Sequence, residues 1–184
     1  MKPTEEQLII ACKKNDSRAF KSIYELYAPK MMGVCLRYMH NRYEAEDILQ
    51  ESFIKVYLNI GRFRFDGSFE GWIRKIVVNV ALNKLRDDAK RECSLPGDEI
   101  LDVINNDNTY TDNEYSYTME DMLGAIQRLS NMNRIVFNLA EIEGYTTQEI
   151  AEELKLSEHT IRATLSRAKA ILRTNLEKRK RNVE

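Results

Sequence analysis

The chain has 184 residues, 43% of them apolar and 31% charged, which is the balance of a globular protein with room for one ordinary domain or two small ones. Seven Gly and three Pro are too few for the many tight turns of an all-β sandwich or barrel, so an all-α protein is expected. The net charge of −1 hides a segregation: residues 1–91 carry 17 Lys/Arg against 12 Asp/Glu, residues 92–122 carry none against nine, and residues 123–184 carry 11 against eight. Two basic segments flanking an acidic one point to a polyanionic partner that the overall charge would not suggest.

From Lys2 to Glu6 the chain lacks the basic start of a leader, and the apolar run Leu8–Cys12 is too short for one. No run of 18 apolar residues occurs, so no membrane insertion is expected and the cytoplasm is the expected location. Four helices are predicted before residue 92: about Thr4–Lys13, Ser17–Met39 with a bend at Pro29, Tyr43–Leu58 and Phe69–Asp88. Cys12, Cys35 and Cys93 are odd in number and far apart, which argues against a disulfide framework, and Cys35 reads as a small core residue. His40 and His159 stand alone, and HExxH, P-loop, GxSxG and GxGxxG patterns are absent. No metal, cofactor or catalytic residue is therefore expected, and the chain does not read as an enzyme.

The third helix, YEAEDILQESFIKVYL, has Ile48, Phe53, Val56 and Tyr57 for apolar contacts and a compact polar patch of Asp47, Gln50 and Glu51 beside Glu44. Such a patch suits a basic protein surface, and acid near a helix N-terminus also complements the helix dipole. In the following RFRFDGSFEGWIRKIVVNVALNKLR, Arg62, Phe63, Arg64 and Phe65 interleave aromatic and basic groups ahead of Trp72. Rings stack on unpaired bases and cations track phosphates, as a melted-DNA surface requires. The fourth helix is apolar almost all round except for one arc holding Trp72, Lys75, Asn79, Asn83 and Arg86. Trp72 itself reads equally well as core.

CSLPGDEILDVINNDNTYTDN, residues 93–113, contains Pro96 and Gly97, many Asn and Asp, and no apolar period, so a flexible acidic linker is expected there. The strongest local pattern follows at GYTTQEIAEELKLSEHTIRATLSRAKAILR. Gly144 can close the preceding helix, Thr146 and Glu149 form a capping box, Lys155 and Leu156 make a turn, and Ser157 caps the last helix. On that helix Ile161, Leu165, Ala168, Leu172 and Leu176 share the core arc, leaving Arg162, Ser166, Lys169 and Arg173 on a polar stripe and Ala163 and Ala170 on a small-residue face, with Arg167 beyond. Small residues flanked by Arg and Lys suit the floor and walls of the DNA major groove, and the two helices together are a helix-turn-helix.

The chain resembles the extracytoplasmic-function sigma factors of the sigma-70 family over about residues 5–90 and 118–176. YEAEDILQESFIKVY looks like that family's polymerase-docking helix, GSFEGWIRKIVVNVALNKLR like its promoter-melting and −10-reading segment, and the stretch from Leu129 to Arg173 like its −35-reading domain. The resemblance implies no enzymatic activity but a subunit that binds core RNA polymerase and promoter DNA, with an anti-sigma factor as a further partner. It implies three domains of labour: a region 2 domain over residues 1–92, the linker over 93–115, and a region 4 helix-turn-helix domain over 116–184. Asp47, Gln50 and Glu51 would meet the polymerase. Arg62, Phe63, Arg64 and Phe65, with Trp72, Lys75, Asn79, Asn83 and Arg86, would serve the −10 element. Arg162, Ala163, Ser166 and Arg167 would lie in the −35 groove, with Lys169 near its phosphates. One departure is visible: where the family often has Leu-Pro, Leu129 is followed by Ser130, which is expected to cap the next helix instead. The rival reading is a stand-alone helix-turn-helix regulator in which residues 1–90 dimerise or sense a signal.

Overall fold

The computed structural model describes residues 3–92 and 117–181, with side chains as far as 88 in the first stretch and 177 in the second. The expected linker over 93–115, and Cys93 with it, lie outside the described residues. The chain divides into two compact units, Met1–Arg86 and Asp87–Glu184. Among the described residues the secondary structure is helical throughout, joined by turns.

The first unit contains α1 (Glu5–Lys13), α2 (Ser17–Tyr38), α3 (Arg42–Asn59), a 3-10 turn (Ile60–Arg62) and α4 (Phe69–Glu92). Local chemistry fixes each start. Thr4 and Gln7 form a reciprocal capping box on α1, the Asp16 carboxylate accepts from the amides of Arg18 and Ala19, and Asn41 accepts from the amide of Glu44. Between α1 and α2 the chain reverses at Asn15, with φ +63°, a left-handed conformation that Asn tolerates better than most residues. Pro29 lies inside α2, which runs on past it to Tyr38.

The core of this unit is built from Ile9 and Cys12 of α1, Ile23, Met31, Cys35 and Tyr38 of α2, Ile48, Phe53 and Val56 of α3, and Phe69, Ile73, Val77, Ala81 and Leu85 of α4, all buried. Buried Tyr27 ties three elements: its ring meets Phe69 edge-on, its hydroxyl donates to the Glu5 carboxylate, and Lys30 lies over its face. Lys30 also reaches Glu70 at 2.6 Å, joining α2 to the first turn of α4.

The second unit contains α5 (Met119–Gln127), α6 (Asn131–Phe137) continuing into one π-helical turn (Asn138–Ile142), α7 (Thr147–Leu154) and α8 (Glu158–Arg181). Ala125, Ile126 and Leu129 pack on Ala168 and Leu172 of α8, with Phe137, Ile171 and Leu176 around them. The start of α6 departs from expectation. Ser130 makes no side-chain capping bond. Instead the buried guanidinium of Arg134 donates to Asn131 Oδ1 at 2.7 Å and to the Gln127 carbonyl at 3.3 Å, tying the first turn of α6 to the end of α5.

Candidate nucleic-acid and partner interfaces

The arc of α4 becomes one wall of a groove. Trp72, Ile76, Asn79, Val80 and Asn83 line it from α4, and Lys55, Asn59 and Arg62 line it from α3 and the 3-10 turn, enclosing about 290 Å³. That is the small end of the range for ligand clefts, fit for one planar ring system. Trp72, Ile76 and Val80 give it an apolar lining, and Asn59, Asn79, Asn83, Lys55 and Arg62 add amides and cations. Asn59 is held by a 2.9 Å bond from its Nδ2 to the Lys55 carbonyl.

Four of the expected −10 residues, Arg62, Trp72, Asn79 and Asn83, thus meet in the groove, while Arg64, Phe65, Lys75 and Arg86 do not line it. Phe63 stands apart: it is 6% exposed, and its ring packs on Phe65, Phe69 and Trp72 at 5.0–5.6 Å. With no open face to offer a base, it braces Trp72 from behind. Trp72 is half-buried and stacks on Phe69 at 5.6 Å, so the two readings of this residue meet: part core, part groove wall. Phe65, Arg64 and Lys75 are exposed. Sequence reasoning missed Lys55, Asn59, Ile76 and Val80. The first two are four residues apart and so share one helical face, but only the docking of α3 beside α4 turns that face toward Trp72.

On α3, Asp47, Gln50 and Glu51 are all exposed. The structure extends their patch along the same stripe with Ile54 at 60% and Leu58 at 71% exposure, large apolar side chains that no element of this unit covers. Glu51 pairs with Lys55 at 2.7 Å, linking the edge of this patch to the groove. The sequence pattern had placed Tyr57 among the apolar contacts; it is only half-covered, by an edge-on Phe20.

In the second unit the helix-turn-helix is built as expected. Thr146 and Glu149 cap α7 reciprocally, Gly144 takes φ +75° ahead of it, and the amide of Thr160 donates to Ser157 Oγ at 3.1 Å at the start of α8. Lys155 closes α7 at φ +56°. Ile161, Thr164, Ala168 and Leu172 are buried, while Arg162, Ala163, Ser166, Arg167 and Lys169 are exposed together on the outer face of α8. Two acids temper the cations: Glu158 lies 3.4 Å from Arg162, and Glu141, in the π-helical turn, lies 2.9 Å from Lys169. The second pair was not foreseen, since it depends on how the π turn meets α8.

Comparison with known proteins places both units. The family model "Sigma-70 region 2" matches residues 23–91 and "Sigma-70, region 4" matches residues 119–172. The RNA polymerase sigma-H factor of Pseudomonas aeruginosa is 30% identical over 176 residues, 90% of either chain. The ECF RNA polymerase sigma factor SigW of Bacillus subtilis is 29% identical over 175 residues, covering 89% of this chain and 92% of its own. Among solved structures, the sigma factor RpoE of Bartonella quintana, crystallised with the anti-sigma factor NepR, is similar in fold with a TM-score of 0.53 at 20% identity, over 86% of this chain and 96% of its own.

Proposed function

The chain belongs to the extracytoplasmic-function sigma factors of the sigma-70 family, and from that premise we propose how its residues divide the work of bringing RNA polymerase to a promoter. The observation that carries the assignment of roles is the groove of Arg62, Trp72, Asn79 and Asn83 in one unit, alongside an exposed basic recognition helix in the other.

The region 2 domain, residues 1–92, docks on core polymerase through the α3 stripe. Asp47, Gln50 and Glu51 supply charge and hydrogen bonds, and Ile54 and Leu58 supply the apolar area that a lasting contact needs. It then captures an unstacked base of the −10 element. Trp72 offers the ring face, Asn79 and Asn83 hydrogen-bond base edges, and Arg62, Arg64, Lys75 and Arg86 hold the backbone. Phe65 lies in the loop that feeds the groove, and Phe63 supports Trp72.

The region 4 domain, residues 116–184, lays α8 in the −35 major groove. Arg162 and Arg167 read base edges, Ala163 and Ser166 allow close approach, and Lys169 exchanges Glu141 for a phosphate. Residues 93–115 tether the two. The chain works in the cytoplasm without chemistry of its own, and an anti-sigma factor that masks these surfaces is its further partner. A stand-alone regulator is not favoured, because it leaves the α4 arc and its groove without a role.

The test is reconstituted transcription: the purified chain, core polymerase and a promoter library, with initiation sites sequenced. Initiation at a shared two-part motif that depends on this chain is the expected result. Duplex binding without polymerase, to half-sites about one helical turn apart and with no initiation, would instead favour the regulator.

A further inference from the structure

One contact joins the first helix to the loop that leads into the groove. Lys13, in the last turn of α1, donates from Nζ to the Phe63 carbonyl at 2.6 Å, across 50 residues of chain. The same ammonium lies 4.6 Å from the centroid of the Phe65 ring. Phe65 is 43% exposed and sits at φ +63°, a left-handed backbone that residues with a Cβ avoid. Two residues on, Gly67 takes φ +151°. Glycine adopts such a backbone freely, so the strain of the loop sits at Phe65, whose conformation persists only where its surroundings over-determine it.

Those surroundings are few. From below, the buried Phe63 ring meets Phe65 at 5.0 Å. From the side, α1 packs on the 3-10 turn that precedes the loop, and Lys13 is its polar hold. An ammonium carries three donors on one compact charge, so it can satisfy a carbonyl and face a ring together. Lys14, one residue on, is exposed.

We propose that Lys13 is a positioning residue: it sets the 62–68 loop, and Phe65 with it, in the base-receiving shape before DNA arrives. The proposal rests on the reading of loop and groove as the −10 capture site. It assigns to α1, which lies outside the region matched to the family model at residues 23–91, a part in promoter opening.

The experiment uses full-length variants assembled with core polymerase. The probe is a fluorescent single-stranded oligonucleotide carrying the non-template −10 strand of a promoter selected in the library. Lys13→Met keeps the stem and removes the charge, and should weaken oligonucleotide binding roughly five- to twentyfold through lost preorganisation. Lys13→Arg should recover most of that. Lys14→Met, which removes the same charge from an exposed neighbour, should change binding by about twofold at most. Core affinity should not move in any of them. Binding by Lys13→Met that matches Lys14→Met overturns the proposal, as does a parallel loss of core affinity, which would mark a general effect on the fold. If Lys13→Met lowers the unfolding midpoint, Phe65→Leu carries the test: it leaves Lys13 in place but removes the ring that the ammonium and Phe63 both meet, and wild-type binding by it overturns the proposal equally. Asn79→Ala separates the two levels. If it weakens binding while Lys13→Met does not, only the role of Lys13 falls; if neither weakens it, the base-capture reading falls as well.

Discussion

Glu70 opens α4 at a junction of cations, accepting from Lys30 Nζ at 2.6 Å with Arg74 at 3.6 Å. The hydrogen bond from Lys30 is the main reason its carboxyl is held below the usual range near 4.5. A depressed folded-state value means the stabilisation is present above the unfolded value and is lost as pH falls through the folded one. Glu70→Gln is therefore expected to flatten the acid limb of the stability curve below about pH 4.5, and to cost about 0.5–1 kcal/mol at neutral pH because the pair is partly exposed. Urea unfolding at a series of pH values checks both; an acid limb identical to wild type would show that the pair adds nothing. Two thiols behave in the opposite sense. Burial, aided by Asp16, pushes Cys12 up to about 11, and burial pushes Cys35 up to about 12. Raised values disfavour the thiolate, so both should resist alkylation at neutral pH in the folded chain and react fully in urea, with the modified sites assigned by mass spectrometry. The linked stability should be intact below about pH 9 and decline as pH rises toward 11–12.

The helix-turn-helix was readable almost residue by residue because its signals are local. Thr146 and Glu149 form their box within one turn, and Thr146→Ala should lower the stability of the second unit by about 1 kcal/mol and weaken −35 binding with it, as thermal unfolding and promoter-fragment titration would report. On the proposed reading, the α8 stripe separates two kinds of contact. Arg162→Ala should relax the base preference at one or two −35 positions with a discrimination loss of about 1–3 kcal/mol. Lys169→Ala should leave the preference intact, weaken binding to all sequences alike and reduce the salt slope by about one. A base-specific effect at Lys169 would mean that α8 sits in the groove differently. The failures of the sequence reading have a common cause at the same scale. On α3, Ile48, Phe53 and Val56 face inward as their spacing indicates, but Tyr57, grouped with them, is 41% exposed, because apolar residues surround this helix and period alone does not fix the edge of its buried face. Lys55 and Asn59 enter the groove only through tertiary docking, and Ser130, though placed as a cap, makes no side-chain capping bond, while the buried Arg134, from one turn further on, ties the start of α6 to the end of α5. Local chemistry is written in spacing; which face meets which neighbour is not.

At the scale of the whole molecule, the proposed assignment gives each unit only a modest set of cations for a promoter: four for the −10 element, Arg62, Arg64, Lys75 and Arg86, and three on the outer face of α8, Arg162, Arg167 and Lys169. Either contact alone should be weak and strongly salt-dependent. Covalent connection changes that, since engagement of one unit raises the effective concentration of the other, and gains of 10²–10⁴, about what separates weak from productive binding, follow without any new contact. The acidic stretch over 92–122 contributes nothing to DNA affinity by its sign, so on this argument its value lies in being continuous. A protease site inserted between residues 100 and 110, cut after purification and after assembly on core polymerase, isolates that term: against the same chain uncut, net charge and the two DNA-facing domains are unchanged, and only the connection is lost. Initiation from a two-part promoter should then fall roughly a hundredfold, and the loss should shrink when the cut fragments are supplied at high concentration. Undiminished initiation after complete cleavage would mean that the polymerase itself, and not the chain between the units, holds them in register.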